Sequence, residues 1–127
     1  ARTSATAIEL ELVHFATADL IRTAHDMSAS LIRKKGIRFE TTVEKGLPTA
    51  AADRDKILHV LTNLLGNAIE FTPAEGGLIR VVAERSAKNR GWICVTVEDN
   101  GIGIDPEHHE MIFREFAQVD SSRARQH

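Results

Sequence analysis

The chain has 127 residues, 43% of them apolar, which is enough for one modest two-layer core and leaves little for a second. Sixteen basic and eighteen acidic residues give a net charge of -2 with both signs scattered, which excludes the electrostatic footprint of a nucleic-acid binder or a membrane-surface protein. The single Cys94 excludes a disulfide framework, no apolar run approaches the roughly 20 residues of a membrane span, and the six His lack metal-ligand spacing. These features point to a soluble, cytoplasmic chain in a reducing compartment, with Cys94 as a small core hydrophobe.

Residues 1–7 are small and polar and read as a linker or a cut end, so that the domain proper is expected over 8–127. Residues 8–15 alternate as a half-buried strand. Thr17 offers an N-cap to a helix whose apolar positions are Leu20, Ala24, Met27 and Leu31, flanked by Ile21, Ser28 and Ile32. Met27 is expected in the core and His25 on the surface. The cations Arg33, Lys34 and Lys35 before Gly36 suit a helix C-terminus.

Strict alternation follows, with Ile37, Phe39, Thr41 and Val43 on one face, until Lys45-Gly46-Leu47-Pro48 breaks it. A short stretch of Ala50 to Ala52 leads to Asp53, an N-cap for a second helix that runs to about Phe71, since Pro73 forbids continuation. On it, Ile57, Leu61, Leu64, Leu65, Ala68 and Ile69 form an apolar face, and His59, Asn63, Asn67 and Glu70 form a polar stripe. Two Asn one turn apart either are solvated surface or hold something through their amide oxygens. Residues 78–86 and 92–98 read as a hairpin, with Ile79, Val81 and Ala83 facing Ile93, Val95 and Val97.

Continued alternation puts Asp99 on the buried face of the second hairpin strand, where a carboxylate is costly unless it is paired. Gly101 and Gly103 then let the backbone turn sharply and come close to a ligand, with Ile102 and Ile104 between and after them. Asp105 and Pro106 look like an N-cap and first residue of a third helix carrying Met111, Ile112, Phe113 and Phe116. The two Phe fit plain core as well as they fit a ligand contact. Residues 118–127 are polar and read as a surface loop.

The segments NLLGNAIEFTP, VEDNGIGI and IFREFAQVDSSR, in that order, resemble the N box, first glycine box (DxGxG) and F box of the catalytic ATP-binding domain of bacterial sensor histidine kinases. That domain belongs to the Bergerat-type ATPase superfamily shared with DNA gyrase and MutL. The resemblance implies an α/β two-layer sandwich, a mixed sheet with helices on one face. It implies ATP and Mg2+ as ligands, Asp99 accepting from the adenine amine and Asn67 offering its oxygen to Mg2+. It sets Asn63 toward the phosphates, Phe71 beside adenine, and Gly101, Ile102, Gly103 and Ile104 around the pocket, with Phe113 and Phe116 in the F box. Hydrolytic relatives carry a Glu at the position of Asn63; an amide cannot take a proton from water, which suits phosphoryl transfer.

In a parent protein, which the resemblance implies is a homodimer, the phosphoryl group would pass to a His on a separate dimerisation domain and then to a response regulator. This sequence departs from the pattern at Glu70, where Lys or Arg is usual. It contains no phosphoacceptor box, and it stops before a second glycine box. Those departures leave a degenerate, non-catalytic nucleotide- or protein-binding module as the alternative.

Overall fold

The structure, a computed structural model, describes residues 11–100 and 107–116. Its centre is the hairpin of β4 (Leu78–Arg85) and β5 (Trp92–Asp99). In register, Val81 opposes Val97 and Ala83 opposes Val95, and Ile79, Val81, Ala83, Ile93, Val95 and Val97 are fully buried. The alternation expected of this hairpin therefore holds residue by residue.

The remaining strands are β1 (Val13–Phe15), β2 (Arg38–Val43), β3 (Ala50–Ala52) and β6 (Glu107–Glu115), and the sheet order is β1-β3-β6-β5-β4-β2. β2 pairs parallel with β4 and the other pairs are antiparallel, so the sheet is mixed. Of the strand expected over 8–15, the described part is β1; residues 8–10 lie outside the described residues. β2 is an edge strand and mostly exposed, which explains why its alternation carries Thr and charge rather than a full apolar face. β3 is three buried alanines, small enough to seat a strand between β1 and β6.

The third helix expected from Asp105 and Pro106 is corrected by β6. Residues 107–115 run antiparallel to β5 over eight residue pairs, from Asp99 opposite Glu107 to Trp92 opposite Arg114. Met111 and Phe113 turn toward the core, while Ile112 remains 43% exposed on the far face. Pairing satisfies the backbone groups along β5, which an amphipathic helix at this position would leave open. Asp105 and Pro106 lie outside the described residues.

Two helices cover one face of the sheet, α1 (Thr17–Lys35) and α2 (Arg54–Phe71). The buried stripe of α1 is Thr17, Leu20, Ile21, Ala24, Ser28 and Ile32. Met27 and Leu31 are 62% and 55% exposed, so the expectation of Met27 in the core is corrected: the face is rotated by about one residue, and Ser28 is small enough to sit against the neighbouring layer. Thr17 is the first helical residue and not the cap; Ala16 occupies the cap position with no side-chain hydrogen bond. His25 is partly buried and stacks on Phe39 with ring centroids 4.2 Å apart.

α1 ends where Gly36 adopts φ 76°, a left-handed conformation that favours glycine; its N–H donates to the Arg33 and Ile32 carbonyls, and the N–H of Ile37 donates to Ile32. α2 starts on Asp53, whose carboxylate accepts from the Lys56 N–H at 3.2 Å and from the Glu11 N–H at 3.0 Å. These backbone donors, Glu11 first and Lys56 second, hold the Asp53 carboxyl below the usual range. α2 ends before Pro73, as its sequence dictates. Its buried residues are Leu61, Leu65, Ala68 and Ile69.

The far face of the sheet carries no helix among the described residues. Arg80 bridges Glu40 at 3.3 Å and Glu98 at 3.6 Å there, and Arg114 lies 5.4 Å from the Trp92 ring centroid. Cys94 is buried on that face, its Sγ 3.7 Å from the Thr96 Oγ1, and burial pushes its thiol up, away from the reactive thiolate. Among the described residues, no helix is long and apolar enough to cross a membrane.

Candidate functional site

Because α2 buries Leu61, Leu65, Ala68 and Ile69 against the sheet, its opposite side is left to Asn63, Asn67 and Glu70, all exposed. Asn63 and Asn67 are one turn apart, about 6 Å along the helix. Phe71, at the helix end, is 53% exposed, which is unusual for a Phe with a core close by. α2 packs across β5, and at the end of β5 stands Asp99, only 6% exposed and in alternation with the buried Ile93, Val95 and Val97. The structure thus brings an amide-bearing helix surface and a buried carboxylate onto two elements in contact.

Asn100 fixes the end of β5. Its Oδ1 accepts from the Leu78 N–H at 2.9 Å, its Nδ2 donates to the Gly76 carbonyl at 2.8 Å, and its own N–H reaches the Leu78 carbonyl at 3.3 Å. One side chain therefore ties the turn before β4 to the residue after Asp99. Leu78, Arg80, Glu98, Asp99 and Asn100 line a cavity of about 180 Å³. A wider groove of about 380 Å³ lies between the C-terminal ends of the two helices, lined by Leu31, Lys34, Lys35, Ile69 and Glu70.

Gly101, Ile102, Gly103 and Ile104 lie outside the described residues. Phe113 is not brought to Asp99. It is 3% exposed in the core, 6.0 Å from the Phe15 ring, and it pairs with Ile93, six residues from Asp99 along β5 and so about 20 Å away. Phe116, beyond the same end, packs on His14 with centroids 3.9 Å apart. Sequence reasoning missed Asn100 as a clamp, although an Asn next to glycine at a strand end is a known signal for side-chain bonding to a turn. It also passed over Thr72, which is fully buried at the end of α2.

The fit of these groups to a nucleotide with a divalent cation can be judged on donor chemistry. Amide oxygens are ordinary ligands for a hard cation, and those of Asn63 and Asn67 are on an accessible face. A buried carboxylate such as that of Asp99 has the acceptor chemistry by which a site can discriminate among bases. The residues present fit the group, with Glu70 a carboxylate on the same face of α2 as the two Asn.

A family profile described as "Histidine kinase-, DNA gyrase B-, and HSP90-like ATPase" matches residues 52–127. The chain is 33% identical over 119 residues to the adaptive-response sensory kinase SasA of Synechococcus sp. (strain JA-3-3Ab), covering 94% of this chain and 31% of that protein. Among solved structures it is similar to the catalytic domain of histidine kinase ThkA, with a TM-score of 0.66 and 33% identity over 75% of this chain and 62% of that one; ThkA has also been solved in complex with response regulator protein TrrA. It is similar as well to full-length ShkA in complex with AMPPNP, with a TM-score of 0.68 and 31% identity over 78% of this chain and 20% of that one. The chain spans 8% to 31% of the length of the first curated relatives it matches. On the match over residues 52–127 and the shared fold, the chain belongs to the histidine kinase-, DNA gyrase B- and HSP90-like ATPase family.

Proposed function

We propose that this chain is the ATP-binding catalytic portion of a two-component sensor histidine kinase. The observation that supports the reading is the family match over residues 52–127, which spans both the buried Asp99 at the end of β5 and the exposed Asn63 and Asn67 of α2, the helix that packs on that strand. Asp99 accepts from the exocyclic amine of adenine, with Gly101, Ile102, Gly103 and Ile104 around the base and Phe71 beside it. Asn67 would hold Mg2+ through its oxygen, and Asn63 would face the phosphates. Mg2+, when bound, neutralises charge on the phosphate oxygens. Because neither Asn can act as a general base, the site holds ATP for transfer rather than for attack by water.

The acceptor is a His on a dimerisation domain of the parent protein, and a response regulator receives the phosphoryl group next, as the pairing of ThkA with TrrA suggests by analogy. The domain extends over 8–127, after a linker at 1–7. The parent acts as a homodimer on the cytoplasmic side.

Glu70 is the feature that favours the rival, a non-catalytic binding module, since a carboxylate within a turn of Asn67 opposes phosphate charge. A titration with Mg-ATP and with adenosine tests both readings. The chain is expected to bind both. Glu70→Lys is expected to tighten Mg-ATP roughly three- to tenfold and adenosine hardly at all, with a gain that shrinks as salt rises. Weaker Mg-ATP binding in the variant would make Glu70 a metal ligand, and an equal gain for adenosine would place it outside the phosphate site.

A further inference from the structure

The last four carbonyls of any helix lack partners within it, and they carry the negative end of the helix dipole. α2 is poorly provided against this. Its last turn contains no basic residue and ends on Glu70 and Phe71, so its own charge adds to the problem. One carbonyl, that of Ala68, accepts from the Thr72 N–H at 2.9 Å. The next two accept from a different helix: Lys35 of α1 donates from its Nζ to the Ile69 carbonyl at 2.7 Å and to the Glu70 carbonyl at 3.0 Å.

Lys35 is well placed to do this. It is the final residue of α1, and the left-handed Gly36 behind it locks that end. At the opposite end of the helix pair, Arg54 donates to the Thr23 Oγ1 at 3.0 Å. The two tethers occur in the same order along both helices, so α1 and α2 run parallel, joined near the start and at the finish. The tether at the start is remote from the candidate site. The one at the finish holds the turn that presents Glu70 and Phe71, one turn beyond Asn67.

We propose that Lys35 is a positioning residue for the nucleotide site: it caps α2 from α1 and so sets the place of Phe71 and Glu70. This inference builds on the nucleotide reading above. Its effect passes through the helix end rather than through a charge on the ligand, so adenosine and Mg-ATP should feel it alike.

The test compares three variants of the full chain by calorimetry and by amide hydrogen exchange. Lys35→Met keeps the apolar stem and removes the donor; it is expected to weaken both adenosine and Mg-ATP by about tenfold, the size of one charge-assisted hydrogen bond, and to speed exchange at Thr72. Lys35→Arg restores both. Arg54→Met removes the other tether and is expected to leave affinity within about twofold, which a general loosening of the helix pair would not. Should Lys35→Met fail to fold, Lys35→Gln, which keeps a neutral donor, is expected to fall between Lys and Met.

Equal losses in Lys35→Met and Arg54→Met would overturn the proposal, as would a loss confined to Mg-ATP or unchanged exchange at Thr72. An unsubstituted chain that binds neither ligand would sink the nucleotide reading itself. A chain that binds both, with Lys35→Met unaltered, would sink only the role of Lys35.

Discussion

Asp99→Asn is expected to abolish adenine-dependent binding, by about 100-fold or more, while leaving the fold nearly unchanged. The substitution preserves size and shape at a position that is 6% exposed, so packing around β5 is retained. What changes is hydrogen-bond polarity. An ionised carboxylate only accepts, whereas an amide presents a donor as well, and a donor turned toward the adenine amine leaves buried polar groups mismatched. Calorimetry with ATP and adenosine, alongside a denaturation curve, separates the two effects. Equal affinity in variant and parent would remove Asp99 from the site, and a collapse of stability would assign it to the core.

The largest effect on stability is expected from Gly77→Ala, in the turn between α2 and β4. A Cβ at this position would run into the backbone carbonyl of Pro73 and lie 2.6 Å from the Thr72 Cγ2. Thr72 is itself fully buried, and the backbone of Pro73 has no rotamer with which to withdraw. The expected cost is ~2 kcal/mol or more, within the range of overpacked cores. Gly66 is the internal control. It lies in the middle of α2, exposed, with nothing within 4 Å of an added Cβ, so Gly66→Ala is expected to stabilise the chain by roughly 0.5–1 kcal/mol. Denaturant midpoints of the two variants should move in opposite directions; a shift in the same direction would refute the close approach at Gly77.

The contrast between these glycines lies in tertiary contact, and the same distinction governs what could be read from residues alone. The β4–β5 hairpin was legible because Ile79, Val81 and Ala83 on one strand and Ile93, Val95 and Val97 on the other recur at every second position, and all six are buried. α2 was legible at both ends, since Asp53 caps it and Pro73 stops it. The segment at 107–115 was not, because Met111, Ile112 and Phe113 satisfy a helical face and an alternating one equally well, and only the open side of β5 decides between them. In α1, Ser28 and Met27 are adjacent, and hydropathy prefers the wrong one; closeness of packing selects the smaller side chain.

The candidate site follows the same division. Asn63, Asn67 and Asp99 announce themselves through local pattern, two amides on one helix face and a carboxylate in a buried register. The clamp from Asn100 to Gly76 and Leu78 and the cap from Lys35 onto α2 join residues 22 to 35 positions apart, and no local pattern carries such a contact. Phe113 shows the reverse case, a residue singled out by motif that the strand register commits to the core.

The central claim, that a nucleotide binds at α2 and the end of β5, is tested most directly by the amide chemical-shift changes that Mg-ATP induces across the chain. The account predicts that the largest changes fall on residues 63–72 of α2 and its end and on Asp99 and Asn100, and that adenosine reproduces those at Asp99 and Phe71 without those at Asn63 and Asn67. Changes centred instead on β1, β3 and the far end of β6, or on the exposed Met27 face of α1, would contradict it.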